Sequence, residues 1–89
     1  MSNIFIAFQV NEDTRPIVEA ILDDNPGSTK SESPAMVKID AQDRLVVRRT
    51  SIEARIGRKF DLQEMHMHLI TLTGNIDEDD DEFTLSWKH

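Results

Sequence analysis

Apolar residues open the chain with a period of two. Ile4, Ile6, Phe8 and Val10 alternate with Phe5, Ala7 and Gln9. This predicts a strand over residues 3–10, and apolar groups on both faces predict a central one. The period then changes. Ile17, Val18, Ile21 and Leu22 form a stripe at i, i+1, i+4 and i+5, the spacing of one helix face. Asp13 or Thr14 can accept the free amide hydrogens of the first turn, and Pro16 fits there because its missing N–H is not needed. Asp23-Asp24-Asn25-Pro26-Gly27 ends the helix, with acids opposing the dipole and Pro-Gly forcing a turn.

Residues 28–33 are polar and suit an edge strand or a loop. In the next run, over 35–40, Met36 and Lys38 alternate with Val37 and Ile39. Residues 44–49 place Leu45 and Val47 opposite Val46. Ala41-Gln42-Asp43 has hairpin length, so these two strands are expected to pair antiparallel. Thr50-Ser51-Ile52-Glu53 has the form of a capping box and predicts a helix over 51–58, with Ile52 and Ile56 facing the core and Gly57 near its end. Asp61-Leu62-Gln63-Glu64 repeats the capping pattern and predicts one helical turn. Met65, Met67 and Leu69 alternate with His66, His68 and Ile70, and the run Ile70-Thr71-Leu72-Thr73 favours a strand over 65–73. After the Gly74-Asn75 turn comes an acidic run, Asp77 to Glu82, expected as a solvated loop. Phe83, Leu85 and Trp87 alternate with Thr84 and Ser86, a last strand that turns all three large groups to the core. The order is approximately β-α-β-β-β-α-β-β. The fold class is α+β, with mainly antiparallel sheet and two to three short helices on one face.

With 89 residues, 1–89 is expected to form a single domain. A chain of this size buries only about 60–65% of its unfolded surface, so its core is thin. There is no cysteine, which removes disulfides, thiolate metal sites and thiol nucleophiles, and favours a cytoplasmic setting. The first ten residues lack the basic and apolar regions of a signal peptide, and no apolar stretch approaches the roughly 18 residues of a membrane span. A net charge of −7 repels nucleic acid and anionic lipid, so neither is an expected partner. The charge is uneven. Arg44, Arg48, Arg49, Arg55, Arg58 and Lys59 are opposed between 44 and 59 only by Glu53, while Asp77 to Glu82 is wholly acidic. This two-faced distribution suits oriented docking on a protein, or simply two solvated faces.

Candidate chemistry is thin. Asp77, Asp79 and Asp81 have the opening spacing of a calcium loop, but Glu82 and Lys88 stand where glycine and glutamate are required. His66 and His68 would share one face of a strand, and His89 would be a third ligand only from the terminus; a half-exposed pair is the simpler reading. No phosphate loop, nucleophile elbow or dinucleotide fingerprint occurs. One Trp and no Tyr offer no stacking platform for bases. A small charged chain without a reactive constellation points to a protein-binding role.

Three long strings carry a resemblance: NEDTRPIVEAILDDNP, PAMVKIDAQDRLVVRRTSIEARIGRKFDLQEM and ITLTGNIDEDDDEFTLSW. Together they resemble the small regulatory proteins of bacterial multicomponent phenol hydroxylases. These belong to the effector or coupling family that includes methane monooxygenase protein B and the toluene monooxygenase effector proteins. The resemblance implies a cofactor-free, non-catalytic protein that binds a di-iron hydroxylase and promotes NADH- and O2-dependent conversion of phenol to catechol. Electrons would come from a separate reductase carrying FAD and an iron-sulfur cluster. It also implies docking through the second helix, here Thr50, Ser51, Glu53, Arg55, Ile56, Gly57 and Arg58, with Asn25 and the loop to Pro34 as further candidates. Arg55 and Arg58, i and i+3, are expected on one helix face. Two alternatives remain at this point: a generic acidic interaction domain of the same fold in another pathway, and a small metalloenzyme using His66 and His68.

Overall fold

The computed structural model describes residues 3–87. Strand β1 (Asn3–Gln9) leads to helix α1 (Thr14–Asp24), then to β2 (Thr29–Glu32), β3 (Met36–Gln42) and β4 (Arg44–Arg48). Helices α2 (Arg49–Ile56) and α3 (Leu62–His66) follow, then β5 (Leu69–Leu72), β6 (Asn75–Glu78) and β7 (Glu82–Ser86). The strands form two antiparallel sheets, one in the order β2-β3-β1-β5 and one in the order β4-β7-β6. The class and the order of elements match the sequence reading, with the helical turn after Asp61 realised as α3 and with β6 added.

β1 lies inside its sheet because both of its faces are covered. Ile4, Ile6 and Phe8 point into the core and are fully buried. On the other face Ala7 is also fully buried, and the Lys38 ammonium sits 4.8 Å from the centre of the half-buried Phe5 ring. Across the core stand Leu45, Val47, Phe83 and Leu85 from the second sheet. Ile17, Val18 and Ile21 of α1 and Ile52 of α2 complete the same cluster, as their helical spacing requires.

Several expectations change. β3 and β4 do not pair; β3 lies between β1 and β2, and β4 pairs with β7. The cause is length. β3 runs on through Gln42, leaving only Asp43 before β4, and one residue cannot reverse a chain into a hairpin. Asp43 instead takes a left-handed conformation, φ 66, and the chain crosses from one sheet to the other. Residues 65–68 are not strand, because α3 continues through His66. The Asp61–Glu64 capping box is present and extends a turn into a helix that buries Leu62 and Met65. Asp77 and Glu78 lie in a strand rather than a loop, because β6 pairs with β7. Trp87 is 39% exposed, beyond the end of β7, with its ring N–H donated to the Asn3 carbonyl at 3.3 Å. Its alternation with Phe83 and Leu85 therefore outruns the strand that would have buried it.

Candidate functional site

α2 begins two residues earlier than its sequence pattern suggests. Arg48 is the N-cap residue and makes no side-chain cap, so Thr50 lies inside the first turn and the Thr50–Glu53 box does not form. Glu53 is used differently. Its Oε2 accepts the Phe60 N–H at 2.9 Å and an Arg49 guanidinium hydrogen at 2.8 Å. Its main-chain carbonyl accepts the Gly57 N–H at 2.9 Å. Gly57, at φ 74, is the left-handed C-cap that ends the helix, a conformation that costs any other L residue.

The early end separates two arginines. Arg55 lies in the last turn and pairs with Glu19 Oε1 at 3.3 Å and with Asp23, both on α1. Arg58 lies beyond the helix, where it donates to the Lys59 carbonyl at 2.8 Å and reaches Glu64 at 3.4 Å. They share no helix face, so the i, i+3 expectation fails at Gly57. Thr50, Arg55, Gly57 and Arg58 are exposed, and Ser51, Glu53 and Ile56 are half-buried. Ile56 packs on the core margin and joins Pro16, Ile17, Phe60 and Arg58 in a shallow groove bordered by Glu12, Asp13, Glu64 and His68.

Asn25 stands at the C-terminal end of α1, with its amide wholly engaged inside the chain. Nδ2 donates to the Ile21 and Val46 carbonyls, each at 2.7 Å, and Oδ1 accepts the Val46 N–H at 2.9 Å. It satisfies the backbone along the free edge of β4, much as another strand would. Sequence pattern predicted a helix stop here but not this clasp, whose partner is 21 residues away.

The two charged segments meet rather than face apart. Pairing of β4 with β7 sets Arg48 3.5 Å from Glu82. Arg49 reaches Asp81 Oδ1 at 2.6 Å and the Asp80 carbonyl at 3.1 Å. Asp79 Oδ1 accepts the Asp81 and Glu82 N–H groups, each at 2.8 Å, and so shapes the turn between β6 and β7. Those two amides, Glu82 first, hold the Asp79 carboxyl below its ordinary range. The Phe60 amide and then Arg49 do the same for Glu53, and the Asp61 amide and then Arg58 for Glu64. Hydrogen bonds to Asp81 and then Glu53 raise Arg49 further above its usual value.

The metal candidates do not converge. Asp79 binds the backbone, Asp81 binds Arg49, and no group of three or more His, Cys, Asp or Glu side chains suited to a metal occurs among the described residues. His66 and His68 lie in α3 and the turn after it, not on a strand. His66 Nε2 is 3.2 Å from Glu78 and its ring meets the Phe83 ring edge-on, whereas His68 Nδ1 is 3.3 Å from the Asn11 amide. His89 lies outside the described residues.

Comparisons with known proteins place these features. A model of the MmoB/DmpM family matches residues 2–86. The chain is 49% identical over 88 residues to the stimulatory component DmpM of phenol 2-monooxygenase from Pseudomonas sp. (strain CF600), covering 99% of this chain and 98% of that one. It superposes on a chain in a phenol hydroxylase–regulatory protein complex with TM-score 0.94 and 45% identity, covering 98% of this chain and 100% of that chain. The soluble methane monooxygenase regulatory protein B matches with TM-score 0.75 and 16% identity, covering 97% of this chain and 65% of that chain, which is a likeness of fold.

Proposed function

The chain belongs to the MmoB/DmpM family, and from that membership we propose that it is the regulatory component of a multicomponent phenol hydroxylase. It is a non-catalytic protein that binds the hydroxylase and stimulates conversion of phenol to catechol. The observation that carries this reading is the end-to-end likeness to a phenol 2-monooxygenase stimulatory component, with no large insertion or missing element. The alternative of a generic interaction domain in another pathway has no comparable support.

A regulator shifts its target only if it binds one state of that target better than another. Doing so takes a complementary surface and no reactive group. In this reading the chain carries no cofactor. The di-iron centre resides in the hydroxylase, and a reductase with FAD and an iron-sulfur cluster passes electrons from NADH. The requirement for NADH sets the assembly in the cytoplasm. Neither nucleic acid nor membrane takes part, in keeping with the net charge of −7.

The docking surface we assign is the outer side of α2 and its C-terminal end: Thr50, Ser51, Arg55, Ile56, Gly57 and Arg58. Glu53 lies behind it, and Asn25 is a strut at its margin. Exposed cations beside a half-buried Ile56 give the mix of steering charge and apolar contact that a reversible interface uses. The acidic turn, Asp79–Glu82, adds to long-range steering.

Reconstitution tests the function. Adding the protein to purified hydroxylase and reductase is expected to raise both phenol-dependent NADH use and catechol formation, with saturation at a fixed ratio to hydroxylase. No stimulation at any ratio would remove the regulatory assignment.

A further inference from the structure

Among the α2 docking candidates, Glu53 directs its side-chain bonds back into the chain. One carboxylate oxygen takes both the Phe60 N–H and the Arg49 guanidinium, and its main-chain carbonyl takes the Gly57 N–H. Residue 53 thus grips the connector between α2 and α3 at both ends, at Gly57 through the backbone and at Phe60 through the side chain. Only Arg58 and Lys59 lie between those points, and both are exposed. The Glu53 side chain is 22% exposed and that of Arg58 59%, so the arginine is the more open to solvent of the two.

Arg49 fixes the carboxylate from the other side. Its guanidinium spans from Glu53 to Asp81 and the Asp80 carbonyl, and its own N–H donates to the Asp81 carbonyl at 2.8 Å. The line Asp81–Arg49–Glu53–Phe60 therefore joins the β6–β7 turn, α2 and the connector. Phe60 anchors its far end as a core residue, 5% exposed.

We propose that Glu53, backed by Arg49, is a positioning residue. It holds the Gly57–Phe60 connector in the shape that presents Arg58 and Lys59 to the hydroxylase, and it does not itself touch the partner. This rests on the docking surface assigned above and adds Lys59 to it. A connector with a left-handed glycine at one end has other conformations open to it. Restricting it before contact lowers the ordering cost of binding.

The test compares three variants by two readouts: amide exchange of Phe60 in the free protein, and the concentration that half-saturates hydroxylase stimulation. Glu53→Ala removes the acceptor. Phe60 exchange and the half-saturating concentration should each rise roughly threefold to tenfold, the effect of one lost hydrogen bond, with the rate at saturation kept. Glu53→Gln keeps an acceptor for the Phe60 N–H, and both readouts should return to within about twofold of wild type. If Glu53→Ala fails to fold, the Glu53→Gln result decides. A Glu53→Gln half-saturation as poor as that of Arg58→Ala/Lys59→Ala would mean that the carboxylate itself meets the partner, and would overturn the proposal. So would normal half-saturation in Glu53→Ala despite fast Phe60 exchange. The third variant, Arg58→Ala/Lys59→Ala, should weaken half-saturation with Phe60 exchange unchanged. If it does not, the docking surface is wrong and the positioning role falls with it; if it does while Glu53→Ala is silent, only the positioning role falls.

Discussion

Strand β1 buries Ile4, Ile6 and Phe8 completely and is paired along both edges, whereas the eight-residue helix α2 buries only Ile52. The β1 side is held by apolar area and a continuous backbone ladder. The α2 side is anchored in the core at Ile52, Phe60, Leu62 and Met65, but its outer contour is held by single polar bonds: Glu53 to Phe60, Arg49 to Asp81, Arg55 to Glu19 and Asp23, and the Asp61–Glu64 box. Apolar burial is worth about 1.5–3 kcal/mol per large side chain and is insensitive to charge. Exposed polar ties are worth less and respond to pH, salt and a competing partner. The docking surface proposed above lies on the second side, where its shape depends on ties that pH, salt or a partner can alter.

The largest effect expected separates a true core position from an apparent one. Phe8→Ala should lower unfolding free energy by about 3–5 kcal/mol in urea, because the ring is fully buried. Trp87→Ala should cost about 1 kcal/mol or less, because that ring lies at the surface with one 3.3 Å bond to Asn3. Equal losses would erase the distinction between the two. Next comes the clasp. Asn25→Ala leaves the Val46 N–H and the Val46 and Ile21 carbonyls without their side-chain partner, and should cost about 1–3 kcal/mol. A melting temperature like that of wild type would show that water replaces the amide.

Acid should act on the polar side first. Glu53, Glu64 and Asp79 are held below their ordinary values when folded, so their contribution is complete above the unfolded carboxylate range and is lost as pH falls through the lower folded values. Stability should hold from neutral pH down to about pH 5 and decline below about pH 4. Exchange should quicken at Phe60 and at the Asp81 and Glu82 amides before it does in β1. Simultaneous opening of both regions would mean that they are one cooperative unit. Of these effects this one is the smallest near neutrality.

What was legible in the sequence divides along the same line. Period-two and helical spacing located β1, α1 and the body of β7, because a thin core leaves the apolar pattern little freedom. The β3–β4 hairpin was misread because local length favoured it, while the choice of partner depends on β7, nearly forty residues away. Trp87 was misread because alternation does not say where a strand stops. The roles of Asn25, Arg49 and Glu53 had no local signal: each binds backbone or charge that only the fold brings near. Arg55 and Arg58 differ because Gly57 ends α2 between them, and the glycine itself was visible.

Hydrogen exchange on the chain alone and with saturating hydroxylase tests the docking surface most directly. Backbone amides of residues 50–60 should gain the strongest protection, with β2 changing little. Protection centred on β2 and the outer face of β3, with 50–60 unchanged, would contradict the account.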